Sequence, residues 1–373
     1  MNDAPLMKTR VLVVDDSAYN RQTITAMLET LPGVEVVGRA MNGKEALQLC
    51  FDLDPDVITL DLEMPEMDGF SFLRLLMARR PTPVLVVSGY AQRENVFRAL
   101  ELGALDFLAK PGREISPDLK GIEAELVAKI SMVRRLQAVR LQHRAKALAE
   151  QSRRAMPPSP PPQPHRSNEP PKVVVGIAAS TGGPPAVQQL LASLDPSLPI
   201  SVFVAQHMPA RFTRAFAQRL DRIVAFRVRE AVDGEPAVAG NVYVAPGSSN
   251  LQVVPGDGDD ENTPALLRLV PPVRSAAGPV LTPSADHLFT SLAARYGRRF
   301  VACVLTGMGS DGRDGCRQAR LHGAHIISED PSTAVMPGMP HSVVEAGLAD
   351  EVLAVEAIAP AIERAVAQRS GGR

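Results

Sequence analysis

Residues 173–184 read Val-Val-Val-Gly-Ile-Ala-Ala-Ser-Thr-Gly-Gly-Pro, which is the pattern of a strand that turns into a helix. Its apolar, β-branched start is typical of a buried strand, and the glycines and the proline predict a tight turn into a helix. Short apolar runs alternate with amphipathic stretches elsewhere in the chain, which is the pattern of βαβ units and predicts α/β folds with mainly parallel sheets. The other predicted strands are Val11–Val14, Val34–Gly38, Val57–Leu60, Val84–Val87, Phe107–Leu108, Val202–Ala205, Val242–Ala245, Phe300–Leu305 and His325–Ser328.

A proline-rich stretch divides the chain. The 373 residues are enough for two or three domains, and eight of the 33 prolines lie within residues 157–171. Such a stretch favours an extended polyproline form, which we interpret as a linker; a ligand for a proline-binding domain is the alternative. Apolar residues at helical spacing predict a helix over 122–155. The predicted organisation is a first domain at 8–125, a helical and proline-rich linker at 126–172 and a second domain at 173–365.

Charge and cysteine content exclude several classes of protein. The 40 basic and 41 acidic side chains nearly cancel, so no global field draws the chain to nucleic acid or to an anionic membrane. The three cysteines stand far apart, without zinc spacing or a disulfide pattern, which favours a reducing compartment. Residues 1–10 lack the apolar core of a signal peptide, and no run approaches the ~18 apolar residues of a membrane span. We therefore expect a cytoplasmic protein without direct membrane insertion.

Acidic side chains follow two predicted strands of the first domain. Asp15 and Asp16 come directly after the first strand, and Asp61 comes directly after the third. If these strands are neighbours, the carboxylates converge and need a cation, and oxygen ligands of this kind suit Mg²⁺. Ser88 and Lys110 follow later strands and supply a hydroxyl and a positive charge for a phosphoryl group. Taken singly, a helix N-cap explains Asp15 or Asp16 and an exposed loop explains Lys110.

Together these groups resemble the receiver domain of two-component response regulators, over about residues 8–125. Residues 63–69 (Glu-Met-Pro-Glu-Met-Asp-Gly) and the pair Lys110-Pro111 belong to the same match. The resemblance implies a flavodoxin-like, doubly wound parallel sheet and a Mg²⁺-dependent phosphorylation that acts as a switch. The roles it implies are Asp61 as the phosphoacceptor, Asp15, Asp16, Asp61 and the Glu63 carbonyl as Mg²⁺ ligands, and Ser88, Phe107 and Lys110 as the receiver switch.

A serine, a histidine and an aspartate follow strands of the second domain. Ser180 lies in the turn quoted above, and the alternative of a phosphate cradle is weaker because neither glycine-rich nucleotide motif is present. A nucleophilic serine needs a base and a group that orients this base. His207 directly follows an apolar strand, and Asp311 follows another, although a turn aspartate before glycine is its alternative. Between them along the chain, the flexible Gly-Met-Gly segment presents the Met308 N–H as a candidate oxyanion donor.

The Ser–His–Asp order differs from the orders in the α/β-hydrolase, chymotrypsin and subtilisin groups. The order and the motifs are similar to those of the catalytic domain of the chemotaxis protein-glutamate methylesterases, the CheB family, from Val173 to about Leu353. The matching segments are 180–183, 206–209, 211–213, 243–247, 305–309 and 338–340. The site residues that the resemblance implies are Ser180 as nucleophile, His207 as base, Asp311 as the orienting group, Met308 as an oxyanion donor and Thr181 as a helper beside the nucleophile.

This resemblance also implies an activity and its partners. The activity is a phosphorylation-activated hydrolysis of glutamate γ-methyl esters on methyl-accepting chemotaxis receptors, with deamidation of receptor glutamines as a second reaction. The phosphodonor is a histidine kinase of the CheA type, and the esterase reaction needs no cofactor. Two other classes are open: a binding-only regulator, against which the intact triad argues, and a DNA-binding output module, against which the lack of a helix-turn-helix pattern and of a basic face argues.

The sequence departs from the family pattern at three places. Ala178 stands where the family has glycine, residues 274–279 replace an Arg-His-rich stretch, and Pro337 stands where an aromatic residue is common. We expect these positions to lie near the substrate entrance and to affect the choice of receptor.

Overall fold

The protein has two compact units, Met1–Ala155 and Met156–Arg373, and each contains a parallel sheet. A computed structural model describes residues 8–88, 93–110, 122–133, 169–256, 263–272 and 282–370. No helix among these residues is long and apolar enough to cross a membrane.

The first unit is a doubly wound α/β sheet with strand order β2-β1-β3-β4-β5, all parallel. Its elements are β1 (Thr9–Val14), α1 (Ala18–Glu29), β2 (Val34–Ala40), α2 (Gly43–Leu53), β3 (Val57–Leu60), α3 (Gly69–Arg79), β4 (Val84–Ser88), α4 (Arg93–Glu101), β5 (Asp106–Ala109) and α5 (Glu123–Val133). All five predicted strands of this half are present. Strands β1 and β3 are neighbours, with Val14 opposite Leu60, so the residues that follow them emerge side by side.

Helix α5 crosses the expected domain boundary at residue 125. Leu126, Ile130 and Val133 are buried on one face, and Lys129 forms ion pairs with Asp106 on β5 (2.8 Å) and with Glu125 (3.1 Å). Residues 126–133, which the sequence assigned to the linker, are therefore packed on the first unit. The rest of the predicted linker helix and most of the proline-rich stretch lie outside the described residues.

The second unit is built on a seven-stranded parallel sheet with strand order β14-β13-β12-β6-β7-β9-β8. Strands β10 and β11 form a separate antiparallel pair. The strands are β6 (Val173–Ala179), β7 (Ile200–Gln206), β8 (Arg227–Glu230), β9 (Asn241–Val244), β10 (Asn250–Val254), β11 (Leu266–Val270), β12 (Phe300–Val304), β13 (His325–Glu329) and β14 (Glu351–Leu353). The helices are α6 (Gly183–Ser193), α7 (Ala210–Ile223), α8 (Ala285–Tyr296), α9 (Arg313–Leu321), α10 (Gly338–Glu345) and α11 (Val355–Ser370).

The central strands of this sheet are buried and mainly apolar, and the strand order positions the site. Every residue of β6 and β7 is buried, and Phe203 stacks on Tyr243 with ring centroids 5.3 Å apart. The first strand, β6, lies between β7 and β12, so the strand order reverses beside it. In open α/β sheets ligands bind at the carboxyl ends of strands next to such a reversal. We therefore expect the functional site among the residues that follow β6, β7 and β12.

Candidate functional sites

The turn after β6 fixes Ser180 by backbone hydrogen bonds. The N–H of Ser180 donates to the Thr306 carbonyl (3.0 Å), and its own carbonyl accepts from the N–H of Gly183 (2.7 Å). Gly182 has φ +76°, and a Cβ at this position would lie 2.9 Å from Cβ of Val335. Only glycine adopts this conformation without strain in so little space, so the two glycines hold the serine where the strand meets helix α6.

Two buried polar side chains, Gln206 and Thr306, brace this turn. The Gln206 amide Nε2 donates to the Ser180 carbonyl at 2.9 Å. The Thr306 hydroxyl donates to the Thr181 carbonyl at 2.9 Å and accepts from the N–H of Met336 at 2.8 Å. Neither side chain was assigned a role from the sequence, although a polar residue at the end of an apolar strand is the signal that marks both.

His207 directly follows β7, and it forms a largely buried pair with Asp311 in the loop between β12 and α9. The distance from His207 Nε2 to Asp311 Oδ2 is 2.7 Å, and the side chains are 9% and 10% exposed. Burial by itself raises the pKa of Asp311, but the hydrogen bond and charge of His207 and the backbone N–H groups of Ala285 and Asp286 outweigh it, and they lower this pKa to about 2. Asp311 is thus an ionised acceptor at neutral pH.

The pair fixes the tautomer of the imidazole. A carboxylate only accepts hydrogen bonds, so Nε2 of His207 carries the proton and Nδ1 is the basic nitrogen. Nδ1 has no hydrogen-bond partner among the described residues, and none of them accepts from Ser180 Oγ. Both atoms are therefore available for a hydrogen bond to each other or to a substrate.

The loop after β12 lies directly against the serine. A Cβ at Gly307 would be 2.8 Å from Cβ of Ser180 and 2.2 Å from Sδ of Met339, so this position requires glycine. The N–H of Gly307 donates to the Met336 carbonyl at 2.9 Å. The next N–H, that of Met308, has no acceptor within the described part of the chain. Its role as an oxyanion donor stays a prediction.

Asp311 has further partners that the sequence did not reveal. Its Oδ1 accepts from the Ser284 hydroxyl at 2.9 Å, and Oδ2 accepts from the N–H of Ala285 at 2.7 Å. Ser284 is the N-cap of α8. A serine that opens a helix is a visible signal, but its contact with an aspartate 27 residues away is not.

The acidic side chains that follow β1 and β3 of the first unit lie close together and form an acidic cluster. Asp15, Asp16 and Asp61 each place a ligand atom within 4.8 Å of the others. Lys110 Nζ lies 2.8 Å from Asp15 Oδ2 and 2.5 Å from Asp61 Oδ2. Burial raises the pKa of Asp61, and the positive charge of Lys110 offsets this effect only in part. Burial alone would lower the pKa of Lys110, but the charges of Asp61 and Asp15 outweigh burial, so the pKa of Lys110 is raised. Lys110 is thus the counter-charge of the cluster and not an exposed loop residue.

Helix α1 is capped by Ser17 and not by Asp15 or Asp16. Ser17 is the N-cap of α1 and accepts from the N–H of Asn20, while the N–H of Ser17 donates to Asp15 Oδ1 at 2.9 Å. Asp15 is fully buried and Asp16 is exposed. The cap therefore leaves Asp16 open toward solvent beside its two buried neighbours.

The remaining predicted receiver residues lie around this cluster. Glu63 is exposed, and its N–H donates to Asp61 Oδ1 at 3.4 Å. Phe107 is 3% exposed, and its carbonyl accepts from Lys129 Nζ at 2.8 Å. Ser88 ends β4 opposite Ala109 of β5; its side chain lies outside the described residues.

Two of the three positions that depart from the family pattern lie within the described residues. Ala178 is 0% exposed inside β6, with its Cβ 3.5 Å from the place of a Cβ at Gly312. Its side chain packs in the core two residues before Ser180, and its effect on the choice of receptor stays a prediction. Pro337 is half-buried at the start of α10. Residues 274–279 lie outside the described residues.

Comparison with known proteins places the chain in a family. The CheB methylesterase family model matches residues 175–362, and the response regulator receiver domain model matches residues 11–116. A protein-glutamate methylesterase/protein-glutamine glutaminase of Anaeromyxobacter dehalogenans is 46% identical over 94% of this chain and 93% of its own. One of the same name from Symbiobacterium thermophilum is 43% identical over 99% of this chain and 100% of its own.

A solved structure gives a further likeness. The CheB methylesterase catalytic domain of Thermotoga maritima is 34% identical, and the match covers 52% of this chain and 98% of that chain with a TM-score of 0.48. The two family models together with the near full-length relatives identify this chain as a member of the CheB methylesterase family with an N-terminal response regulator receiver domain.

Proposed function

We propose that this protein hydrolyses the γ-methyl esters of glutamate side chains on chemoreceptors, with Ser180 as the nucleophile. The observation that carries the proposal is the 2.7 Å His207–Asp311 pair, which lies at the ends of strands next to the turn of Ser180. An ionised aspartate, an oriented imidazole and a serine at a strand-to-helix turn are the groups that acyl transfer requires.

Each residue has a defined part in the reaction. Ser180 Oγ attacks the ester carbonyl while its proton passes to Nδ1 of His207, and the imidazolium is stabilised by Asp311 through Nε2–H. The N–H of Met308 donates to the oxyanion of the tetrahedral intermediate. His207 then returns the proton to the leaving methoxide, so that methanol departs. Water, deprotonated by the same nitrogen, hydrolyses the acyl-enzyme and restores Ser180.

The same groups suit a second substrate. A glutamine side chain has the acyl geometry of a glutamyl ester, and its leaving group takes the proton from His207 and departs as ammonia. Deamidation of receptor glutamines is therefore part of the proposal. Thr181, whose carbonyl is held by Thr306, is proposed as the neighbour that supports the serine.

The first unit is proposed to control this activity through phosphorylation of Asp61. The three carboxylates within 4.8 Å suit a hard divalent cation, and we propose that Asp15, Asp16, Asp61 and the Glu63 carbonyl hold Mg²⁺. When bound, Mg²⁺ would neutralise charge on the incoming phosphoryl group. Lys110 would then transfer its contact from the Asp61 carboxylate to a phosphoryl oxygen. The phosphodonor is proposed to be a histidine kinase of the CheA type, and Ser88 and Phe107 to form the switch.

Methanol and ammonia release from methylated and amidated receptor test the function directly. We expect the purified chain to release methanol from methylated receptor, and to do so faster when a small phosphodonor and Mg²⁺ are present. Ammonia should appear with receptor that carries glutamine at the same sites. An absence of methanol under both conditions contradicts the esterase assignment, and equal rates under both conditions contradict the regulatory one.

Replacing Asp16 by asparagine tests the cation site. Asp16 is exposed, so this change should leave the fold intact while one charged ligand is lost. We expect the Mg²⁺ concentration for half-maximal acyl-phosphate formation to rise about tenfold, the effect of losing one to two kcal/mol of binding. Radiolabelled phosphodonor measures this directly. Asp52→Asn, an exposed aspartate on α2, should keep the wild-type Mg²⁺ dependence; a wild-type dependence in Asp16→Asn as well would remove Asp16 from the ligand set.

A further inference from the structure

Helices α8 and α9 cap each other at their N-termini. Asp311, just before α9, accepts from the N–H of Asp286 at 3.0 Å and from the N–H of Ala285 at 2.7 Å, both in the first turn of α8. In return Asp286 Oδ1 accepts from the N–H of Gly312 at 2.9 Å and from the N–H of Gly315 at 2.6 Å. Each aspartate thus satisfies backbone donors at the start of the other helix.

These hydrogen bonds fix the backbone of the residues that follow Asp311 in the chain. Gly312 is the next residue in the chain and has φ +95°, a conformation that glycine adopts without strain. A Cβ at Gly315 would lie 3.0 Å from Cα of Asp286 and 2.7 Å from Cβ of Phe289, so the two helix starts are in direct contact. A shift of Asp286 therefore moves Gly312, and with it the carboxylate that faces His207.

We propose that Asp286 is a positioning residue of the esterase: by holding Gly312 and Gly315 it aims the Asp311 carboxylate at Nε2 of His207. This inference rests on the proposed function. Asp286 touches neither the substrate nor the reacting atoms; it acts through the turn that carries Asp311. The placement is electrostatically unfavourable, because burial and then the charge of Asp311 raise the pKa of Asp286 to about 6.

Two substitutions separate positioning from helix capping. Asp286→Asn keeps an oxygen acceptor at the position of Oδ1 and removes the charge. Asp286→Glu keeps the charge in the first turn of α8, where it suits the helix dipole, but moves the acceptor by one methylene. Positioning predicts that kcat for methanol release falls about 10²-fold in Asp286→Glu, the cost of a displacement of about 1 Å near the reacting groups, with KM unchanged. Asp286→Asn should stay within about threefold of wild type. A dipole role alone predicts the opposite rank, and a cap of α9 alone predicts a lower melting temperature in Asp286→Glu with wild-type kcat.

A spectroscopic signal reports on the His207–Asp311 hydrogen bond independently of catalysis. The proton between His207 Nε2 and Asp311 should give a downfield ¹H resonance in the full-length chain, present in wild type and Asp286→Asn and shifted or lost in Asp286→Glu. The matched control is Asp221→Glu, which lengthens a carboxylate that accepts from the N–H of Val228 at 2.7 Å. Val228 lies near the amino end of β8, at the sheet edge opposite the site, so kcat and the resonance should stay as in wild type.

Each result of these measurements supports or overturns the positioning role of Asp286. A wild-type kcat and resonance in Asp286→Glu, or a loss in Asp286→Asn as large as that in Asp286→Glu, overturns the positioning role. If the wild-type chain releases no methanol, the proposed function fails, and the resonance alone then decides whether Asp286 holds the His207–Asp311 pair. If Asp286→Glu does not fold, Asp286→Asn decides: wild-type kcat and resonance support positioning by an oxygen acceptor, and their loss overturns it.

Discussion

Replacing Ser180 by alanine is expected to lower kcat for methanol release at least about 10⁴-fold, because the substitution removes the atom that attacks the ester. A residual rate above that of water should remain, since the Met308 N–H and substrate binding are untouched. The fold should not change: Ser180 is held by backbone bonds, and no described residue accepts from its hydroxyl. Methanol release from methylated receptor at saturating substrate measures the effect.

The matched control for this change is Ser193→Ala. Ser193 lies at the end of α6, the helix that begins beside Ser180, and its hydroxyl donates to the Gln189 carbonyl at 2.9 Å. It is exposed and should have the wild-type rate when mutated. A serine-directed phosphonate probe should label Ser180 in the wild type and in Ser193→Ala. Activity of Ser180→Ala within about tenfold of wild type, or labelling elsewhere, would exclude Ser180 as the nucleophile.

The candidate site residues were chosen from the sequence because the end of an apolar strand can be recognised from the local pattern. Ser180, His207 and Asp311 each follow a run of apolar residues, and parallel strands bring such positions to one edge. The partners of these residues were not predictable in the same way. Asp286 reaches Gly312 across 26 residues, and Thr306 reaches Thr181 across 125 residues. Such contacts are set by how helices and loops pack on the sheet, which no local pattern encodes.

Four described strands of the second unit were not predicted: β10 and β11 form the separate antiparallel pair, and β8 and β14 lie at the two edges of the main sheet. Strand β8 (Arg227–Glu230) is at one edge and is mostly polar, and β14 (Glu351–Leu353) is a three-residue strand at the other edge. Edge strands face solvent and carry charge, so they lack the apolar run that marks a central strand. The end of the first domain was missed for a related reason. Helix α5 continues past residue 125 with a buried apolar face, and only packing reveals where such a helix belongs.

Replacing Asp61 by asparagine is expected to abolish the increase in methanol release that a phosphodonor and Mg²⁺ produce. Asparagine keeps the size of the side chain but is not a nucleophile toward phosphorus, so no acyl phosphate forms. It also removes one of the two carboxylates that hold Lys110 at 2.8 and 2.5 Å. Radiolabel from the phosphodonor should fall to background, together with the ratio of stimulated to basal methanol release, which should approach one.

The control for Asp61 lies at the other end of the same strand. Asp56 precedes β3, is exposed, and accepts from the N–H of Arg10 at 2.7 Å. Because the carboxyl end of a parallel sheet carries the acidic cluster, Asp56→Asn changes the same charge at the amino end, on the opposite edge, and should keep both the radiolabel and the stimulation. Stimulation that persists in Asp61→Asn would show that another residue receives the phosphoryl group. Radiolabel lost without loss of stimulation would show that the small phosphodonor acts on the esterase without phosphorylating this cluster, and the regulatory proposal would then fail while the esterase assignment stood.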